Sequence, residues 1–266
     1  MGIGFTSSVS EIKTLLEGLA REYPPEVAAI RLRDIPRVAF QIEFIKRHQP
    51  GAKTLCDVGG GISLFPLACA ALGLETIVID NFLDVFHNDA LDNKRESLFE
   101  AAYKIQDKYG VQRVTRDFII DGLEFSPGSI DVITTIDSLE HWHHSPKKLF
   151  RDVMSSLAPG GLFFISVPNC VNLRKRMTVP FGFGKWSGMD AWYEKERFVG
   201  HVREPDVDDL RYMAKDMGMR SWEIFGRNWQ GYLNRRQWVR AITPVVDVPL
   251  QLFPTLCSDL YLVGYK

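Results

Sequence analysis

The stretch that most constrains this chain is Thr54-Leu55-Cys56-Asp57-Val58, followed at once by Gly59-Gly60-Gly61 and then by an apolar segment from about Ile62 to Leu72. It reads as a short buried strand, a turn and a helix. Glycines in such a turn admit positive φ and let a ligand approach the backbone, while the helix N-terminus offers free N–H groups. A glycine-rich turn alone is equally a tight connection. Asp80 sharpens it: it closes the next strand, Glu75 to Asp80, about twenty residues on, where a carboxylate can accept hydrogen bonds from both ribose hydroxyls. That pairing fits a dinucleotide enzyme or one using an adenosyl cofactor. The turn is D-V-G-G-G rather than G-x-G-x-x-G, and Asp57 at the strand end suits an ammonium or sulfonium, not a pyrophosphate.

The alternation continues downstream. A helix is expected over roughly 92–109, a strand from Val111 to Arg116, a strand from Ile130 to Ile136 and a helix from Ser145-Pro146 with the buried stripe Leu149, Val153, Met154 and Leu157. Then come a strand from Gly161 to Val167, a helix from Pro205 to Gly218, a strand from Ser221 to Phe225 and a last strand from Leu260 to Tyr265. The implied fold is α/β, a Rossmann-like, doubly wound, mostly parallel seven-stranded sheet with an antiparallel last strand.

Ahead of it, the capping box Ser8-Val9-Ser10-Glu11 opens an amphipathic helix that Tyr23-Pro24-Pro25 breaks, and a second helix is expected from Pro36 to His48. We expect a single domain over 1–266, in which 1–50 forms a helical cover and 51–168 the cofactor-binding core. Residues 170–204 form a lid insertion, and 205–266 complete the sheet around a second insertion, 228–257. The prolines of that second insertion, Pro244, Pro249 and Pro254, are expected to break it into short pieces.

Composition narrows the function classes. Thirty-two basic residues against thirty-three acidic ones give a net charge of −1, which excludes a wholesale polycation and argues against a nucleic-acid partner. Four cysteines without a C-x-x-C pair, no membrane-length apolar run and no signal-peptide pattern point to a cytoplasmic protein.

Taken together, L-C-D-V-G-G-G (55–61), V-I-D (78–80), the acid Asp117, S-I-D-V-I (129–133), S-L-E-H (138–141) and L-A-P-G-G (157–161) resemble the class I S-adenosylmethionine-dependent methyltransferases in identity and order. The resemblance covers roughly residues 50–168. It implies that Asp57 and Gly59, Gly60 and Gly61 hold the methionine part of the cofactor. Asp80 and Asn81 would hold the ribose, Asp117 with the backbone of Phe118 would face the adenine, and Arg37 would take the cofactor carboxylate.

The segment after the fourth strand carries Asp137, Glu140, His141, His143 and His144. Asp137-x-x-Glu140-His141, joined by the distant His201, is similar to the metal-binding pattern of the small-RNA 3′-end 2′-O-methyltransferases and the ubiquinone-pathway O-methyltransferases. There the first position is Glu. By that resemblance Asp137, Glu140, His141 and His201 would hold Mg²⁺ or Mn²⁺. In the absence of a metal, His144 or His143 would be the general base, and Glu140–His141 a structural pair.

The first insertion mixes Phe181, Phe183, Trp186, Trp192, Tyr193 and Phe198 with the run Arg174-Lys175-Arg176. Its aromatic faces could stack on a sugar or an aromatic ring, and its basic run could meet a phosphate or carboxylate. The layout, with this lid and tail, resembles methyltransferases acting on sugars and glycan precursors, which implies a small-molecule acceptor, a sugar or glycolipid precursor. The second insertion is open to three uses: a homodimer contact, a second wall of the acceptor pocket, or a peripheral membrane contact. An RNA 2′-O-methyltransferase and a non-catalytic cofactor-binding subunit stand as alternatives.

Overall fold

Ser8 caps the first helix, α1 (Val9–Glu22), as the capping box foretells: its hydroxyl accepts from Glu11 N at 3.3 Å, and its own N–H donates to the Glu11 carboxylate at 2.7 Å. The protein is seen here in a computed structural model that describes residues 5–83, 93–184, 188–194, 198 and 200–266. The second helix corrects the expectation of a start at Pro36. α2 runs unbroken from Pro25 to His48, with Pro36 inside it and its ring in solvent. A mid-helix proline costs about 3 kcal/mol. Burial of Val27, Ile35, Val38, Ala39, Ile42 and Ile45 against the core outweighs that.

Seven strands follow: β1 (Thr54–Val58), β2 (Glu75–Asp80), β3 (Gln112–Thr115), β4 (Ile130–Ile136), β5 (Leu157–Pro168), β6 (Ser221–Arg227) and β7 (Asp259–Tyr265). They form one sheet in the order β3-β2-β1-β4-β5-β7-β6. All neighbouring pairs are parallel except those of β7, which runs antiparallel to both β5 and β6. The expected fold class is therefore the observed one.

Period-two alternation divides the strand residues between two cores. Leu55, Val78, Val132, Phe164 and Tyr261 pack with α1, α2, α3 (Leu64–Ala71) and α4 (Arg95–Lys108) on one face. Cys56, Ile79, Ile133, Ile165 and Leu262 pack with α5 (Lys147–Ser156) and the later helix Val207–Asp216 on the other. The first residues expected in the helix over 92–109 lie partly outside the described residues.

Between β5 and β6 the described residues include the α-helices α6 (Leu173–Thr178), α7 (Met189–Tyr193) and α8 (Val207–Asp216). Trp186 is outside the described residues. Between β6 and β7 lie α9 (Trp229–Tyr232) and α10 (Gln237–Gln251). α10 is a second correction: Pro244 and Pro249 do not divide it. Both rings sit on its exposed side, and the buried Thr243 and Asp247 anchor the helix from beneath. No described helix is long and apolar enough to cross a membrane.

Candidate active site

The parallel strands end along one edge of the sheet, where open α/β folds place their ligands. A pocket of about 600 Å³ opens there, in the range of small-molecule sites. Its walls are α2, the Gly59–Phe65 turn, Asp80 and Asn81 after β2, Asp117 to Ile119 after β3, and the rim from Ile136 to His144 after β4.

Asp57 lies behind the glycine turn that lines the pocket, with only 1% of its surface exposed. Its register partner on β4 is Thr134, whose hydroxyl donates to Asp57 Oδ1 at 2.6 Å. Oδ2 is buried without a partner in the protein. Burial is the main cause that pushes the carboxyl up to about 7; the Thr134 bond opposes it, and the charges of Asp80 and Asp137 add to it.

The turn beside it leaves no room for side chains. A Cβ on Gly60 would stand 2.2 Å from Asp57 Oδ2, and one on Gly59, whose φ is +76°, would stand 1.9 Å from Ser138 Oγ. An unpaired buried carboxylate oxygen beside bare backbone fits the ammonium end of an amino acid. On the far side, the buried Gln106 of α4 supports the turn by donating to Gly61 O at 3.0 Å.

At the tip of β2, Asp80 Oδ1 accepts from Phe82 N at 2.6 Å, and Phe82 adopts φ +54°. Asn81 Oδ1 accepts from Leu83 N at 2.9 Å. Asp117 lines the pocket and is exposed, while Phe118 is buried edge-on against Trp142, with ring centroids 5.6 Å apart. Trp142 Nε1 donates to Ser138 Oγ at 2.9 Å.

Arg37 reaches across the mouth. It donates to both carboxylate oxygens of Asp34, at 2.7 and 2.9 Å, and to Asp137 Oδ2. Asp137 also accepts from Ser166 Oγ at 3.0 Å, and its φ of +49° turns its side chain this way. Burial alone would lower the Arg37 guanidinium, but Asp137 and Asp34 hold it well above its ordinary value. Six residues before it on the same helix face, Arg31 donates to Ile62 O at 3.0 Å, and its Nε is buried without a partner.

The rim holds a second constellation. Glu140, His141 and His201 each present a ligand atom, and these atoms lie within 4.8 Å of one another. Their meeting is sewn by the backbone: Val202 N and Arg203 N both donate to Glu140 O, at 2.7 and 3.2 Å. Glu140 is 1% exposed with Oε2 unpartnered. Burial pushes its carboxyl well above the usual range, and Asp137 and Glu204 add to that.

His201 Nδ1 is 2.7 Å from Glu204 Oε1, which leaves Nε2 turned to Glu140 Oε1 at 4.0 Å. Burial raises the Glu204 carboxyl, yet hydrogen bonds from His201 and Lys175 outweigh this and hold it at about 2. An imidazole oriented by a carboxylate through its other nitrogen is the usual arrangement of a metal-binding histidine. Among the four residues of the metal-type pattern, then, the structure gathers Glu140, His141 and His201, and directs Asp137 instead to Arg37 and Ser166. His143 and His144 are exposed and line the pocket. A second cavity of about 480 Å³ shares Trp142 and His144 with it.

Sequence reasoning missed Thr134, Ser138, Glu204, Arg31 and Asp34. The polar pair Thr134-Thr135 inside an apolar strand marked the first. For the last two, the signal was the spacing of Arg31, Asp34, Arg37 and Gln41, which lines one face of a helix.

A sheet of this strand order with a glycine turn after β1 and an acid closing β2 defines the class I S-adenosylmethionine-dependent methyltransferases. The chain belongs to the family described as methyltransferase domain, whose model matches residues 30–224. Among solved structures, it is similar to an S-adenosylmethionine-dependent methyltransferase from Archaeoglobus fulgidus at 14% identity and TM-score 0.53, covering 88% of this chain and 94% of that one. It is similar to a possible histamine N-methyltransferase from Thermotoga maritima at 12% identity and TM-score 0.56, covering 96% and 99%. A third likeness is a Haemonchus contortus phosphoethanolamine N-methyltransferase complexed with S-adenosylhomocysteine, at 15% identity and TM-score 0.52. That match covers 85% of this chain and 52% of the other, so the chain spans about half of that enzyme. At these identities the likenesses show the fold. No curated protein matches the chain in sequence.

Proposed function

We propose that this methyltransferase acts on a hydroxyl of a small molecule, a sugar or glycolipid precursor, with a divalent cation held by Glu140, His141 and His201. The observation that carries this is the rim cluster: three donors of suitable chemistry within 4.8 Å, one of them from the buried Glu140 carboxylate, whose Oε2 has no partner in the protein. Two imidazoles with one carboxylate favour Mn²⁺ over Mg²⁺, which prefers oxygen ligands.

When bound, S-adenosylmethionine supplies an electrophilic methyl on a sulfonium. In this proposal Asp57 Oδ2 holds its ammonium, Asp80 and Asn81 its ribose, and Asp117 with the Phe118 backbone its adenine. Arg31 takes the carboxylate, because Arg37, expected above in that role, is committed to two carboxylates. A divalent cation would act as a Lewis acid toward the acceptor hydroxyl, which is otherwise protonated at neutral pH. Glu204 keeps the His201 ring turned toward the cluster, and His144 stands at the mouth to take the proton released. The segment 170–204 serves as a lid, and the cavity beyond His144 gives the acceptor room.

The test is transfer of a labelled methyl group to hydroxylated and amine acceptors, with Mn²⁺, with Mg²⁺ or after EDTA. A Mn²⁺-dependent, alkali-stable methyl ether is expected. Activity indifferent to EDTA, or methylation of nitrogen only, would overturn the proposal.

The ionised form of Asp57 is the one that pairs with an ammonium, and its carboxyl titrates at about 7 in the free protein. Affinity for S-adenosylhomocysteine is therefore lost as pH falls below that value, approaching about tenfold per pH unit. Calorimetry from about pH 8 down to about pH 5 reads the slope. Asp57→Asn is expected to flatten it.

A further inference from the structure

α10 is built inside out. Its buried stripe is polar: Asp247 accepts from Asn228 Nδ2 at 2.7 Å, Gln251 Nε2 at 2.8 Å and Tyr232 OH at 3.0 Å, with Thr243 one turn earlier on the same side. Its outward stripe is apolar: Trp238 is 64% exposed, Val245 72%, Val248 70% and Leu252, just past the helix end, 77%, with Ile242 and Phe253 also open. A water-facing helix normally does the reverse. A buried aspartate under a row of exposed valines shows a helix fastened by its polar side so that its apolar side faces outward.

Charge decides what meets that face. Residues 228–258 carry Arg235, Arg236 and Arg240, all exposed, and one acid, the buried Asp247. Against a second copy in a two-fold contact the patch would meet itself, and its arginines would find no carboxylate there. An anionic bilayer supplies apolar chains for the helix stripe and phosphates for the arginines, with Trp238 at the level where tryptophan settles in membrane interfaces. No described helix crosses a membrane, so the helix lies on the surface.

The connection between β6 and β7 leaves and rejoins the sheet beside Pro168, the end of β5, so α10 sits on the same edge as the pocket. The C-cap of α9 is tied to the pocket helix as well, through Arg33 donating to Leu233 O at 3.1 Å.

We infer that α10 docks this enzyme in the plane of an anionic bilayer, with the pocket edge turned toward the lipid. In so far as this bears on the acceptor it rests on the proposed O-methylation: the hydroxyl would be that of a membrane-presented, lipid-linked molecule. The docking itself is independent of any catalysis.

The test is flotation of the full chain with vesicles of phosphatidylcholine, with and without phosphatidylglycerol, in the absence of cofactor and acceptor. Binding is expected only with phosphatidylglycerol present, and to weaken with salt. Arg235→Gln with Arg236→Gln is expected to reduce it about 30-fold. Val245→Glu with Val248→Glu is expected to abolish it, since both side chains would carry charge into the apolar layer. Unchanged affinity for S-adenosylhomocysteine shows that each variant is folded. Absence of binding by the native chain to either vesicle, or equal binding by the variants, would overturn the inference. So would self-association in sedimentation velocity that the valine substitutions abolish, because a second copy would then own the face. Failure of the acceptor assay with vesicle binding intact would count against the O-methylation alone.

Discussion

Asp80→Ala is expected to weaken binding of S-adenosylhomocysteine by at least about 100-fold, because each hydrogen bond to a charged group contributes about 1.5–3 kcal/mol and a ribose makes two. The carboxylate already has a structural task, accepting from Phe82 N at 2.6 Å where the backbone turns through φ +54°. Alanine removes both. Asp80→Asn separates them: an amide oxygen still accepts from Phe82, but the negative charge and one of the two acceptors are gone. Its loss is expected to be intermediate, about tenfold, and calorimetry on both variants reads the difference. Undiminished affinity in the alanine variant would remove the ribose from this strand tip.

Glu140→Gln is expected to cut Mn²⁺-dependent turnover about 100-fold or more while leaving S-adenosylhomocysteine affinity unchanged. The side chains are nearly the same size, so the buried site is refilled without a cavity. A second measurement does not depend on turnover. Mn²⁺ is expected to raise the melting temperature of the native chain by mass action, and to leave the glutamine variant unmoved. A merely structural Glu140 would give no such divergence. Glu204→Gln is expected to act in the same direction but less strongly, because Glu204 hydrogen-bonds to the His201 ring rather than offering a ligand atom of its own.

The strands and the class of sheet they build were legible because their evidence is local. Apolar runs of four to seven residues, closed by Gly73 or Gly110 and started again after Pro146 or Pro205, leave few ways to wind a sheet. The pairing of Asp57 with Asp80 was visible for the same reason, since both are strand-end acids a fixed distance apart. Pro36 and the α10 prolines misled because a proline announces its cost and not what offsets it. Val38 and Ile42 bury the far side of α2, and Asp247 anchors α10 from beneath. The rim was only half legible. The resemblance already set the distant His201 beside Glu140 and His141, but how the fold brings it there, and why Asp137 departs, follows from two distant facts. The backbone N–H groups of Val202 and Arg203 donate to Glu140 O, and Arg37 arrives from a helix one hundred residues upstream.

The antiparallel setting of β7 has a consequence for how such enzymes diversify. Arg227 and Asp259, the two stems of the connection that carries α10, are register partners on adjacent strands. Whatever lies between them is a cassette plugged into one socket. It can lengthen, shorten or be exchanged at a closure cost that grows only logarithmically with its size, while the sheet beneath keeps its alignment. If α10 docks the molecule as inferred, the place from which it takes its acceptor can drift in evolution, or be transplanted by design, without renegotiating how it grips the methyl donor.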